Sequence, residues 1–363
     1  MDLQTHAERL HAPRSPSSLG AREACPGWEA HSTESVYADD GEKCHEAIEA
    51  KIKGDDTKHN ALPKDLSHFV QECYDYVAPR IAGADHTVTE HRLYHNDPVL
   101  RAQSFGTPDL YFFTGVRGGI IDFKFGRRPV THAERNLQGW TYVLALFDTH
   151  PELETISMDF VVPRVHRCTS SWTFNRTEDY ARIFERVSGT VRRAMLPDSE
   201  KEYVVGWDSC AYCGRKATCE ALALAIGAYM NEPMTAKNPK ALGDQLNMAK
   251  LAKDWAEQSE AYVLNQALEQ GAEVEGFEVR VAGGKTSLKT LHSIGLVLEH
   301  QIPLEVLAEI ATVPLGKLKA VYAAHTEHET QVEAEKELME LLIKGDALKV
   351  GEDAPYLYRL NKN

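Results

Sequence analysis

Asp122 and Lys124 stand two residues apart in the run Ile-Ile-Asp-Phe-Lys-Phe. In a strand, residues so spaced project to one face. An acid and an ammonium therefore share a side, while Ile121, Phe123 and Phe125 take the other. A carboxylate beside an ammonium at a strand end is a pairing that phosphodiester hydrolysis uses: the acid binds a metal, and the ammonium supports developing charge or the attacking water. The plainer reading of the same tripeptide is a surface ion pair.

Asp109 lies thirteen residues before Asp122. Between them, Asp-Leu-Tyr-Phe-Phe and then Thr-Gly-Val-Arg-Gly-Gly read as strand and Gly-bearing turn, so a hairpin brings the two acids together. Converging carboxylates suit a hard divalent cation, although Asp109 also fits a turn after Thr107-Pro108. His45 occurs on a segment of helical character with Cys44, Ala47 and Ile48 at apolar positions, where an imidazole either packs or binds metal. Gln138 and Tyr142 are four apart and share one helical face, where helix packing is the plain reading. Arg127, Arg128 and Arg135 follow the Asp-x-Lys strand, forming either a phosphate contact or a solvated charge run.

Seven cysteines are present, an odd number for a disulfide framework; clustered thiols in a reducing compartment more often bind metal or do redox chemistry. Cys210, Cys213 and Cys219 form C-x2-C-x5-C, and Cys25 stands far upstream. Four thiolates serve tetrahedral zinc or an iron-sulfur cluster, and zinc is the first expectation from the cysteines alone. Cys44, Cys73 and Cys168 fall outside the pattern and suit small buried apolar positions.

The elements that must position these groups follow from periodicity. Residues 1–20, polar and carrying Pro13 and Pro16, read as a flexible N-terminal arm. Helical character runs from Asp39 to about Lys53 and again through Leu66, Phe69, Val70, Cys73 and Val77. Residues 86–95, 109–113 and 120–125 read as strands, followed by a helix from about Thr131 to Phe147, the strand Ile-Ser-Met-Asp-Phe-Val-Val-Pro, and a helix from about Glu178 to Met195. This is a mixed α/β order. Residues 226–240 read as a linker, and residues 241–363 as a mainly helical C-terminal domain with a short β-like piece at 274–282.

The length, 363 residues, suits two domains. With 43% hydrophobic and 26% charged residues, the composition is that of a globular chain. No apolar run reaches the roughly 20 residues of a membrane helix, and the N-terminus lacks a secretory signal, so the expected location is cytoplasmic with no membrane partner. A net charge of -14 excludes nucleic-acid binding by bulk electrostatics and leaves local basic groups or bound metal to meet phosphate. Gly284-Lys285-Thr286 resembles the end of a P-loop, but Val279 stands where that motif needs glycine, so no ATPase motor is expected.

Taken in order, Gly41-x-x-x-His45, Gly106-x-x-Asp109, Asp122-x-Lys124 and Gln138-x-x-x-Tyr142 resemble the RecB-like PD-(D/E)XK nuclease family. The four cysteines resemble those of its iron-sulfur members: AddB-type helicase-nucleases, CRISPR-associated RecB-like exonucleases and phage-encoded relatives. The resemblance spans about residues 21–225. It implies a restriction-endonuclease-like core, a mixed sheet flanked by helices, and metal-dependent DNA exonuclease activity, with a phage recombination or replication protein among the partners. It further implies that His45, Asp109, Asp122 and the Phe123 carbonyl bind Mg or Mn, that Lys124 is the catalytic lysine, and that Gln138 and Tyr142 position DNA. Glu90 would add an acid, and Cys25, Cys210, Cys213 and Cys219 would hold a 4Fe-4S cluster. The rivals are a nuclease-fold protein that binds DNA or a partner without cutting, and a zinc-stabilised interaction protein.

Overall fold

Short β-branched and aromatic runs between amphipathic helices leave the central strands with two apolar faces to cover, and the structure covers both. A computed structural model describes residues 12–30, 36–165, 169–231, 238–277, 318–319, 322–323 and 330–344. The chain divides into two units, Met1–Gly271 and Ala272–Arg359.

In the first unit, α1 (Leu19–Ala24), α2 (Val36–Ile52), α3 (Thr57–Ala61) and α4 (Lys64–Ile81) precede β1 (His86–Thr89). Then come α5 (Pro98–Gln103), β2 (Leu110–Thr114), β3 (Arg117–Phe123), α6 (Leu137–Thr149), β4 (Thr155–Val161), β5 (Ser170–Asn175) and α7 (Arg176–Met195). The unit closes with α8 (Trp207–Cys210), α9 (Glu220–Met230) and α10 (Pro239–Glu269). The strands form one mixed sheet in the order β1-β2-β3-β4-β5. Only β3 and β4 pair in parallel, as a crossover through α6 requires. Helices lie on both faces. Tyr111, Phe113, Ile120, Met158 and Phe160 pack with α6 and α7, whereas Leu110, Ile121, Phe123 and Val161 pack with Cys44, Ala47 and Ile48 of α2 and Val70, Cys73 and Val77 of α4. Gly139 permits the close approach of α6, since a Cβ there would stand 2.9 Å from Met158.

Several boundaries differ from the sequence reading, each for a local reason. The strand expected over 86–95 ends at Thr89, because Glu90 takes a left-handed backbone with φ 51°, a conformation rare for a residue with a Cβ. The helix expected from Thr131 begins at Leu137, where the Asn136 side chain accepts hydrogen bonds from the backbone N–H groups of Gln138 and Gly139. Strand β5 carries Ser170, Ser171 and Thr173, too polar for an apolar period to reveal it.

The flexible arm expected through residue 20 is ordered from Ala12: Pro16–Ser18 form a 3₁₀ turn, and Leu19 is fully buried against the main core. Residues 1–11 lie outside the described set. Helix α9 runs into the expected linker, of which 232–237 are not described, and α10 starts at Pro239, with the Asn238 side chain capping Ala241 N–H. Helix α10 is not part of a separate C-terminal domain, since Leu251, Met248 and Trp255 pack with Cys210, Leu222 and Ile226. Residues 278–282 of the expected β-like piece, Gly284 to Thr286 and Cys168 lie outside the described residues.

In the second unit, α11 (Gln331–Lys344) begins with a reciprocal cap in which Thr330 Oγ1 accepts from Glu333 N–H and a Glu333 carboxylate oxygen accepts from Thr330 N–H. No described helix is long and apolar enough to cross a membrane.

Candidate functional site

Antiparallel pairing of β2 with β3 sets Leu110 opposite Ile121, and this register carries Asp109 to the end of β3 where Asp122 lies. The Phe123 backbone N–H, extending beyond the ladder, donates to Asp109 Oδ2 at 2.6 Å. Asp122, alternating with Ile121, faces α6, and Gln138 Nε2 donates to Asp122 Oδ1 at 3.1 Å and to the Tyr142 hydroxyl at 3.2 Å. Tyr142 in turn donates to the Thr107 carbonyl at 3.5 Å. Lys124 Nζ lies 2.6 Å from Asp122 Oδ2, so acid and ammonium share a face as their spacing requires. On the other side, α2 delivers His45, whose Nδ1 is 3.2 Å from Asp109 Oδ1 and whose ring meets the Phe125 edge.

Glu90 completes the group. Its backbone N–H donates to the Asp109 carbonyl at 3.0 Å. The left-handed turn there leaves its carboxylate, a His45 ring nitrogen and an Asp109 oxygen all within 4.8 Å of one another. These three could hold one divalent cation. Asp122 is 3% exposed, deeper than a polar strand end, and its oxygens meet Gln138 and Lys124. For Phe123 the structure shows the amide on Asp109.

His45, Glu90, Asp109, Asp122, Lys124, Gln138 and Tyr142 line one cleft of about 250 Å³. The sequence reading missed its remaining walls: Arg92 and Phe105, and Ala12, Ser15, Pro16 and Ser17 from the ordered N-terminal segment. Gly106 makes that wall possible, because a Cβ there would stand 2.6 Å from Pro16 and 2.7 Å from Tyr142. Arg127, Arg128 and Arg135 are not among the cleft-lining residues. The Arg128 guanidinium instead lies 4.9 Å from the Tyr212 ring centroid, and Arg135 is exposed beside Glu134.

Burial pushes the Asp122 carboxyl up to about 6, with Asp109 adding to the rise and Lys124 and His45 opposing it. Burial also acts to raise Asp109, but the charge and hydrogen bond of His45, then Lys124 and the Phe123 amide, hold it below the ordinary carboxylate range. Burial acts to lower His45, and Asp109 and then Asp122 carry it above the usual imidazole value. Burial, then Asp122, puts the Tyr142 phenol well above its ordinary range, so it stays a hydrogen-bond donor at neutral pH. Environments that push neighbouring acids apart are found at reacting centres.

The four patterned cysteines meet at a second place. Cys25, Cys210, Cys213 and Cys219 line one small cavity. Gly214 N–H donates to the Glu29 carbonyl and Ala30 bridges Cys213, which ties the N-terminal segment to the C-x2-C turn. Gly27 is required there, since a Cβ would overlap the Tyr203 ring. Lys216, within the motif and 4% exposed, donates to the Ala211 carbonyl at 2.9 Å and to Asp254 of α10 at 3.1 Å. Burial raises the Cys213 thiol, opposed by backbone hydrogen bonds from Glu29 and Arg215. Cys44 and Cys73 lie in the α2–α4 core with no exposure, and burial raises both thiols.

Residues 11–293 match the family described as "Protein of unknown function (DUF2800)". The chain belongs to the DUF2800 family. The match takes in the cleft and all four patterned cysteines of this DUF2800 protein. A solved structure entitled "Crystal structure of SSO0001" is 14% identical, covering 60% of this chain and 91% of that chain, with a TM-score of 0.27. No curated protein matches.

The raised Asp122 carboxyl has a consequence for the metal-free protein. A group whose folded pKa lies above its unfolded value favours folding at low pH and loses that contribution as pH rises through the folded value. Asp122→Asn keeps an oxygen for Gln138 and removes the ionised state. The metal-free variant should therefore be more stable than metal-free wild type at pH 7.5, on the order of 3 kcal/mol. The two unfolding curves should meet as pH falls through about 6 toward 4. Thermal unfolding by circular dichroism across this range checks it; a pH-independent difference would show that Asp122 ionises normally.

Proposed function

We propose that this chain is a metal-dependent DNA exonuclease with a RecB-like PD-(D/E)XK core, in which Mg or Mn serves catalysis and a 4Fe-4S cluster ties the domain together. One observation carries the reading: His45, Glu90, Asp109, Asp122, Lys124, Gln138 and Tyr142, drawn from two helices, one strand, the residues flanking its hairpin and a turn, converge on a single cleft. Chance ion pairs do not assemble a buried acid, two half-buried acids, an imidazole and a lysine around one space large enough for a ligand. The sheet order, with acids at the ends of an antiparallel hairpin and a parallel crossover through α6, is compatible with that core.

A bound divalent cation supplies Lewis acidity toward phosphate and activates water. His45, Glu90 and Asp109 would hold it, with Asp122 and the Phe123 carbonyl joining from the strand end. Lys124, anchored by Asp122, places an ammonium where charge develops on the phosphate. Gln138 orients Asp122, and Tyr142 orients Gln138 and the strand of DNA. The wall formed by residues 12–17 closes one side of the cleft, which suits an enzyme that works from a strand end. A phage or prophage recombination or processing setting in the cytoplasm, with a recombination or replication partner, follows from the family resemblance.

Lys124→Ala and Asp109→Asn should each lower Mn-dependent degradation of linear DNA by at least about a thousandfold while circular dichroism stays native. Cleavage retained in both variants would remove the cleft from catalysis.

The second half of the proposal concerns the thiols. Four thiolates can hold one zinc or a 4Fe-4S cluster. Cys25, Cys210, Cys213 and Cys219 line one cavity, and the resemblance to the iron-sulfur nucleases favours the cluster. Protein purified without air should be brown and carry about four irons per chain. Cys25→Ala should lose iron and thermal stability together. Colourless protein with stoichiometric zinc would overturn the cluster and leave the cleft untouched.

A further inference from the structure

Phosphate binding by a chain of net charge -14 must come from cations placed where the strand runs. The arginines that follow the Asp-x-Lys strand are absent from the cleft lining, but Arg92 is in it. Arg92 is half-buried, and its guanidinium lies 4.8 Å from the Phe105 ring centroid. A guanidinium stacked on an aromatic face is held in one plane and loses little freedom when it pairs with a phosphate. The backbone fixes both partners. Leu93 and Gly106, the residues next to Arg92 and Phe105, form an isolated β-bridge, with Leu93 N–H donating to the Gly106 carbonyl at 2.8 Å, and Leu93 is 1% exposed.

The wall beside this stack is polar. Ser15 and Ser17 line the same cleft, their hydroxyls 3.2 Å apart. Their segment is pinned from behind: Arg14 N–H donates to the Gln103 carbonyl at 2.9 Å, and the Arg14 guanidinium donates to the Gln103 side chain and, at 3.3 Å, to the Ala194 carbonyl. The cleft thus has an acidic floor suited to a cation, and a wall bearing an arginine and hydroxyls suited to an anion. Such a pairing fits a polyanionic strand with one phosphate at the metal and a neighbouring phosphate at the wall.

We propose that Arg92, with the hydroxyls of Ser15 and Ser17, forms a phosphate subsite that holds the phosphodiester next to the scissile one on a nucleic-acid strand. The assignment of the scissile phosphate rests on the nuclease reading; the subsite itself rests on the wall. Arg92 is then a binding residue, setting strand affinity and register.

The test uses the full chain, a short fluorescein-labelled oligothymidylate and Ca in place of Mn, so that binding is read without turnover. Arg92→Ala should weaken binding about tenfold and reduce the slope of log affinity against log salt by about 0.7, the value for one phosphate contact on a single strand. Arg92→Lys should keep the slope yet bind several-fold more weakly than wild type, because it keeps the charge and loses the planar stack. Arg135→Ala, outside the cleft, should bind as wild type. In Mn, Arg92→Ala should raise KM about tenfold with kcat within about threefold. Arg92→Ala binding with wild-type affinity and salt slope would overturn the subsite, as would wild-type protein that fails to bind oligothymidylate at low salt. Arg92-dependent binding without any cleavage would sink the nuclease reading and leave the subsite standing.

Discussion

Two carboxylates are forced together at one end of a buried hairpin, and much of this fold answers that constraint. The β2–β3 register brings Asp109 beside the end of β3, and the Phe123 amide fixes it there. Burial, with the charge of Asp109 adding to it, disfavours ionisation of Asp122 and pushes its carboxyl up to about 6. Removing Lys124 or His45 would push the Asp122 carboxyl further up, since both oppose its rise.

The compensation arrives from elements far apart in sequence. Helix α2, packed on one face of the sheet through Cys44, Ala47 and Ile48, carries His45 to Asp109. Helix α6, packed on the other face, carries Gln138 to Asp122. Lys124 answers Asp122 from the same strand. These groups offset the pair only partly, since Asp122 still rises and His45 is drawn upward by the residual negative charge. A divalent cation would complete the balance. The left-handed turn at Glu90 supports the same view, because backbone in that region is kept where surrounding contacts or function demand it.

Much of this was legible in local pattern. The hairpin, the shared face of Asp122 and Lys124, and the single face of Gln138 and Tyr142 all follow from strand and helix periods, and the C-x2-C-x5-C spacing marks the thiol site directly. What the sequence hid depends on contacts between distant segments. Ser15, Pro16 and Ser17 read as arm residues, and only Leu19 seated in the core and Gly106 lacking a Cβ make them a cleft wall. Helix α10 reads as the start of another domain, and it is the packing of Met248, Leu251 and Trp255, with the Lys216–Asp254 pair, that joins it to the thiol site. The acid at Glu90 carries no local sign of its φ angle. Arg127 and Arg128 form a basic run just after the Asp-x-Lys strand, whereas Arg92 stands alone in sequence and acquires its setting from Phe105.

If the acids of the cleft hold a cation, the metal-free protein should bind one. Titrating the chain with Mn and following the free-ion signal by electron paramagnetic resonance tests this without DNA. Protein in excess should remove the free signal with about one Mn bound per chain, and Asp109→Asn should leave most of it free. Wild-type protein that leaves the free Mn signal unchanged would contradict the account.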